Sequence, residues 1–242
     1  MSVRRSSHHQ VKASLRRLLQ INMSERENIF ARIEEALTLK AHAHHGHSQP
    51  TVAEQRHVMP TVGATAAEQF ALFAKNASDL KAMFKLVSNE AELHAELKAL
   101  ANAEKWQRIA THSGVLAQAN AQVLALPTIV TSDGYDKHEM EKCDVGISEC
   151  DALIAQTGTV LVTSRSAGGR ALSCLPPHHV VIARREQLVP DLPAAMALVK
   201  QRYGGDYPSM ISFITGPSRT GDIERILVLG AHGPKKLTIF CL

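Results

Sequence analysis

Three short apolar runs near the C-terminus, each closed by glycine or proline, constrain the fold of this chain most. Within ISFITGPSRTGDIERILVLGAHGPKKLTIFCL, residues Ile211 to Thr215, Ile226 to Leu229 and Leu237 to Cys241 are β-branched or apolar and short, which predicts strands. Between the first two runs lies Gly216-Pro217-Ser218-Arg219-Thr220-Gly221-Asp222. Gly216 permits a tight turn, Ser218 or Thr220 can cap a short helix, and free backbone N–H groups beside the Arg219 guanidinium favour an anion. The same residues also suit a plain surface turn with Arg219 paired to Asp222 or Glu224. No Gly-Lys-Ser or Gly-Lys-Thr follows at the spacing of a nucleotide-binding P-loop, so the segment names no nucleotide.

The preceding chain alternates helix and strand patterns. Thr65 and Glu68 form a capping box ahead of the stripe Phe70, Phe73, Ala77 and Leu80, and a strand over Met83 to Val87 follows. Ser88 is expected to cap a helix carrying Leu93, Leu97 and Leu100. Arg108 to Thr111 and Thr128 to Thr131 read as strands around a loop and helix that hold Ser113, Gly114, Leu116 and Val123. Such alternation predicts an α/β fold with a mostly parallel sheet, flanking helices and an antiparallel C-terminal finish across the His232-Gly233-Pro234 turn. Trp106, the single tryptophan, reads as packing.

In GISECDALIAQTGTVLV, Glu149 and Asp151 stand two apart, so an extended backbone projects both carboxylates from one face. Paired carboxylates serve acid–base chemistry, and equally make a solvated strand face. Thr157-Gly158 then turns the chain into a strand over Val160 to Thr163. The next segment, Thr163 to Arg170, adds hydroxyls, two arginines and a Gly pair, as in an anion-binding loop or lid, or in an exposed loop. His178 and His179, placed after Pro176-Pro177, read as turn surface before the strand Val180 to Ala183. Asp191 and Pro193 start a helix that Gly204-Gly205 ends.

TGPSRTGDIERILVLGAHGP resembles the C-terminal signature of the lactate-utilisation protein C family, which carries the LUD domain. GISECDALIAQTGTVLV is similar to its central motif, with Ala152, Ile154, Ala155, Thr157, Gly158 and Thr159 at the expected places. The resemblance extends more weakly from about Met23 to the C-terminus. It implies the isomerase, deaminase and CoA-transferase superfold, and a subunit of the bacterial system that oxidises L-lactate to pyruvate beside iron–sulfur partner proteins. It also ranks Glu149 above Asp151 as a catalytic candidate, with His232 beside it. At Gln156 the family pattern usually has an acid, so no charged role carries over there. The expected substrate-binding set is Thr157, Gly158, Thr159, Gly216, Pro217, Ser218, Arg219, Thr220, Asp222, His232 and Gly233. With ligand sites of open α/β sheets at the carboxyl ends of strands, these loops are expected to converge there.

Composition bounds the remainder. The chain has 242 residues and a net charge of +4, but residues 1 to 22 hold five basic residues and no acid, leaving −1 for the rest. A basic body for nucleic acid or membrane surfaces is therefore excluded, and the tail is expected to be dispensable. Ser24 and Glu27 begin a helix with the stripe Ile29, Ile33 and Leu37, followed by a linker containing His42, His44, His45, His47 and His57. These histidines suit incidental transition-metal binding, since no Cys, Asp or Glu beside them fixes a geometry. Expected boundaries are 1–22 for the tail, 23–63 for helix and linker, and 64–242 for the α/β domain. Cys143, Cys150, Cys174 and Cys241 are scattered, without CxxC or ferredoxin spacing, and Cys143 and Cys241 read as buried thiols. The chain is expected to bind no cofactor itself and to be cytoplasmic. The first functional reading is a non-redox or accessory subunit handling a small anionic substrate. The alternative is an autonomous transferase, isomerase or cyclo-ligase, and a third reading, metal handling, rests on the histidines alone.

Overall fold

A computed structural model describes residues 24–38, 60–220, 228–230 and 232–242. The chain divides into two compact units, Met1–Pro50 and Thr51–Leu242. In the first, helix α1 (Glu25–Thr38) starts at Ser24, whose hydroxyl and amide engage Glu27, and Ile29, Phe30, Ile33 and Leu37 form an exposed apolar stripe. The basic tail and the histidine linker lie outside the described residues.

The second unit is built on six parallel strands in the order β1-β12-β7-β4-β2-β3. These are β1 (Met83–Leu86), β2 (Ile109–Thr111), β3 (Thr128–Val130), β4 (Val145–Ser148), β7 (His178–Ala183) and β12 (Lys236–Cys241). A second sheet, β8-β5-β6-β9, contains β5 (Ala152–Ile154), β6 (Thr159–Thr163), β8 (Leu188–Val189) and β9 (Ile211–Ile214), with β5–β6 and β6–β9 antiparallel. Strands β10 (Arg219–Thr220) and β11 (Val228–Leu229) form a small antiparallel ribbon. The fold is thus α/β with a mostly parallel main sheet, as the helix–strand alternation predicts.

Antiparallel pairing does appear in the C-terminal quarter, in β6–β9 and β10–β11, but the last strand does not share it. β12 runs parallel between β1 and β7. Its Leu237, Ile239 and Cys241 face one buried layer and Phe240 the other, as a central strand of a parallel sheet covered on both sides requires.

Strand alternation assigns the layers. On β7, Val180 and Ile182 face helices α3 (Glu90–Glu104) and α4 (Val115–Val123), meeting Leu93, Leu97, Leu116 and Ala117. Val181 and Ala183 face the second sheet and helix α2 (Ala66–Asp79), against Leu153, Val160, Phe73 and Ala77. The far side of the second sheet is covered by helix α6 (Leu192–Tyr203) through Ala195, Val199 and Tyr203. Helix α5 (Lys137–Glu141) adds Met140 to a smaller cluster with Ala110, Cys143 and Leu172.

The helix starts follow their residues. Thr65 and Glu68 make both hydrogen bonds of the capping box, and Asp191 accepts from Ala194 N at 2.8 Å. α3 starts one residue later than expected: Asn89 is the cap, accepting from Glu92 N at 2.9 Å, and Ser88 N instead donates to the Glu92 carboxylate.

Candidate functional site

An open cleft of about 480 Å³ lies beyond the carboxyl ends of β2, β3, β4 and β6. Each strand delivers the polar residue that follows it: His112 after β2, Thr131 and Ser132 after β3, Glu149 after β4, and Ser164, Arg165 and Ser166 after β6.

Glu149 Oε1 accepts from Leu116 N at 2.8 Å and Ala117 N at 3.2 Å, so the carboxylate sits on the positive end of α4. Oε2 has no protein partner among the described residues. Half of this carboxyl group is therefore anchored, and half can meet a ligand hydroxyl or exchange a proton with it.

His112 closes the floor. Its Nδ1 lies 3.0 Å from Gly114 N and its Nε2 3.2 Å from Glu149 N. A neutral ring accepts at one nitrogen and an imidazolium at neither, so this setting disfavours charge. Burial lowers the His112 pKa, and the nearby Glu149 charge offsets only part of that. His112 thus fastens the ends of β2 and β4 together as a neutral ring.

Glu149 and Asp151 do not share a face. Between them the chain passes from the main sheet to the second sheet, and Asp151 turns inward at 1 % exposure. There it accepts from Arg202 Nη1 at 2.6 Å and Tyr203 OH at 2.5 Å. The expected carboxylate pair is two separate groups.

The remaining expected site residues fall in two other places. Thr157 and Gly158 belong to the β5–β6 turn, whose Ala155 and Gln156 carbonyls are held by Asn76 Nδ2 of α2 at 3.0 and 2.9 Å. Thr159 Oγ1 lies 2.8 Å from Thr215 Oγ1. Gly216, Pro217, Ser218, His232 and Gly233 border a cavity of about 190 Å³ with Ser173, Cys174 and His179. That cavity sits at the amino ends of β7 and β12, not at their carboxyl ends, because the chain enters β12 directly from the His232 turn. The expected convergence of all three loops is therefore not found.

Nor is a helix capped by Ser218 or Thr220, since Arg219 and Thr220 form β10. Ser218 N is already bonded to Pro234 O at 2.9 Å, and the Arg219 guanidinium donates to the Leu80 carbonyl just past α2. Asp222 lies outside the described residues, as does Glu224.

His178 and His179 are strand residues at 4 % and 1 % exposure rather than turn surface. His179 Nε2 lies 2.8 Å from Ser148 Oγ, and His178 Nε2 lies 2.9 Å from Thr238 Oγ1. Burial lowers their pKa values to about 3 and about 4. Trp106 packs edge-on to His178, which supports its reading as a core residue. Cys143, Cys150 and Cys241 are buried and burial raises each thiol pKa, to about 11 at Cys241.

Residues 70–242 match the LUD domain. The chain belongs to the LUD domain family. Proteins called Lactate utilization protein C resemble it over shorter stretches. The one from Geobacillus kaustophilus is 43% identical over 98 residues, 40% of this chain and 41% of that protein. The one from Shouchella clausii is 38% identical over 118 residues, 47% of this chain and 52% of that protein. The Bacillus subtilis protein of this name is 39% identical over 98 residues. The matched stretch thus spans between two fifths and about half of those relatives' lengths. The crystal structure of a DUF162 family protein from Deinococcus radiodurans superimposes with a TM-score of 0.58 over 74% of this chain and 99% of that one, at 23% identity, and establishes the shared fold.

Two features of this LUD domain escaped the sequence reading. His112 carried no motif, although its place directly after a predicted parallel strand is the available signal. Gln156 donates through Nε2 to Pro60 O at 3.0 Å, a bond that a carboxylate cannot make.

Proposed function

We propose that this protein is a non-redox component of a system through which cells use lactate, binding a small carboxylate and working beside partner proteins that carry iron–sulfur clusters. The cleft at the carboxyl ends of β2, β4 and β6 carries the reading. It brings the half-anchored Glu149 carboxylate, neutral His112 and Arg165 to one opening lined with serine hydroxyls. That set suits an anionic hydroxy or oxo acid: a guanidinium for the carboxylate, hydroxyls and Glu149 for the neighbouring oxygen.

The names of the Lactate utilization protein C relatives supply the substrate class. Electron transfer is assigned to partners because three of the four cysteines are packed in hydrophobic clusters, a setting that raises thiol pKa values and does not fit cluster ligands.

Native purification of the full chain from lactate-grown cells tests this. Co-elution with a brown iron–sulfur protein is expected, together with binding of L-lactate or pyruvate by the purified chain. Oxidation of L-lactate by the purified chain with an artificial electron acceptor would overturn the non-redox assignment. Glu149 also favours a second reading, an autonomous transferase or isomerase, because its Oε2 has no protein partner among the described residues. Turnover of an anionic substrate without partners, lost in Glu149→Gln, would promote it.

A further inference from the structure

We infer that Arg165 anchors the ligand's carboxylate in the strand-end cleft, and that Thr163, Tyr203 and Asp151 are positioning residues that hold it there. The inference rests on the cleft proposed above as the ligand site and names the group that selects a 2-hydroxy or 2-oxo monocarboxylate.

Arg165 lies in a turn that starts at Thr163, the last residue of β6. Thr163 Oγ1 faces Arg165 N at 3.3 Å and Ser166 N at 3.2 Å, while Ser166 Oγ accepts from Thr163 N at 2.9 Å. The turn that presents Ser164, Arg165 and Ser166 to the cleft is therefore organised by the Thr163 and Ser166 hydroxyls. The Thr163 hydroxyl is fixed from below. Tyr203 OH carries a single proton and lies 2.5 Å from Asp151 Oδ1, so the proton goes to the carboxylate. Thr163 can then only donate at its 3.3 Å contact with Tyr203 OH, and Ser166 Oγ, also 3.3 Å from Thr163 Oγ1, shares that single proton. The Thr163 lone pairs are left for the two backbone N–H groups above. A chain of polar contacts thus links the buried Asp151 carboxylate through Tyr203 and Thr163 to the Arg165 turn.

Tyr203 acts twice. The Arg165 guanidinium carbon also lies 5.4 Å from the centre of the Tyr203 ring, a cation–π arrangement that sets the direction of the side chain. Among the described residues Arg165 makes one side-chain ion pair, Nη2 to Asp206 Oδ2 at 2.5 Å, with Asp206 85% exposed and Arg165 48% exposed. Exposed pairs of this kind contribute little and are screened by salt, so a ligand carboxylate entering the cleft can take the place of Asp206. The planar guanidinium offers five N–H donors, enough to grip both oxygens of that carboxylate. Arg219 cannot serve this cleft, because its guanidinium is bonded to the Leu80 carbonyl and it does not line the opening.

The test is calorimetric titration of the full chain and its variants with L-lactate and with pyruvate at low and high salt, alongside thermal melts. Wild type is expected to bind at least one of the two, more weakly at high salt. Arg165→Lys weakens binding about tenfold or more, since an ammonium cannot make the fork, and Arg165→Gln also removes the salt dependence, with melts unchanged in both. Tyr203→Phe keeps the ring and removes the chain; it weakens binding severalfold. Thr163→Ser, which retains the hydroxyl, binds like wild type, whereas Thr163→Val does not. Wild-type affinity in both Arg165 variants overturns the anchor while leaving the cleft intact. Failure of wild type to bind either acid overturns the cleft and the anchor together.

Discussion

At Gly114 any side chain would collide with two others. A Cβ there would lie 2.3 Å from His112 Cε1 and 2.4 Å from Glu149 Oε1, so Gly114→Ala must push apart the two groups that form the cleft floor. Overpacking of this kind costs about 1–3 kcal/mol, and a urea titration showing a midpoint unchanged from wild type would contradict it. Gln156→Glu puts a carboxylate at a site only 6% exposed and removes the donor to Pro60 O, and is expected to destabilise by about 1–3 kcal/mol, measured in the same way.

The buried imidazoles predict a pH dependence. Burial holds His178 at about 4 and His179 at about 3, against an ordinary 6.5, so between these limits the unfolded chain binds protons that the folded chain refuses. Their contribution to stability is complete above about pH 6.5, falls as the pH drops, and stops falling only below the folded values. The loss at the acid limit is on the order of 3 kcal/mol for His178 and roughly 5 kcal/mol for His179. His112 adds to it in the same direction. In urea titrations from pH 7 to pH 4, His178→Gln should show a flatter profile than wild type, and an equally steep one would refute the assignment.

At the scale of elements, α2 and the β5–β6 turn form one unit. Asn76 holds two turn carbonyls, and a Cβ on Gly158, at φ +62°, would lie 2.6 Å from Ala77 N. The motif residue Gly158 is thus accounted for by packing of a turn against a helix. Gly158→Ala should cost about 2 kcal/mol or more, from left-handed backbone strain and the clash with α2, as seen in a shifted urea midpoint. Arg219 is also a link between elements, tying β10 to the residue after α2. Being exposed, it contributes little: Arg219→Lys should change stability by less than about 1 kcal/mol and leave carboxylate affinity as it is. A tenfold loss of affinity would instead restore the anion cradle expected from its sequence.

For the whole molecule, the described helices and strands from α2 to β12 all lie in the unit Thr51–Leu242, as does every residue of the cleft. A chain beginning at Thr51 should therefore fold with a melting temperature close to that of the full chain and bind the same carboxylate. Loss of a cooperative melt would show that the first 50 residues take part in the core.

Sequence alone determined the elements and the class. Capping boxes, apolar periodicity and Gly/Pro boundaries are local effects, so strands such as Met83 to Leu86 and the helix starts at Thr65 and Asp191 were legible within a few residues. The site was legible only in parts. Glu149 stood out by its motif, but its separation from Asp151 depends on the chain changing sheets between them, a non-local event that period-two alternation does not record. His178 and His179 looked like turn surface because the preceding prolines dominate their local pattern, and they are buried because β7 lies between β4 and β12. Likewise the Gly216 and His232 loops were recognisable as loops, yet which end of the sheet they reach depends on the direction of β12. Local chemistry specifies which residues make a strand or a cap. The parallel insertion of β12 and the crossing to the second sheet depend on burying both faces of the main sheet, and that balance is decided only when the layers pack together.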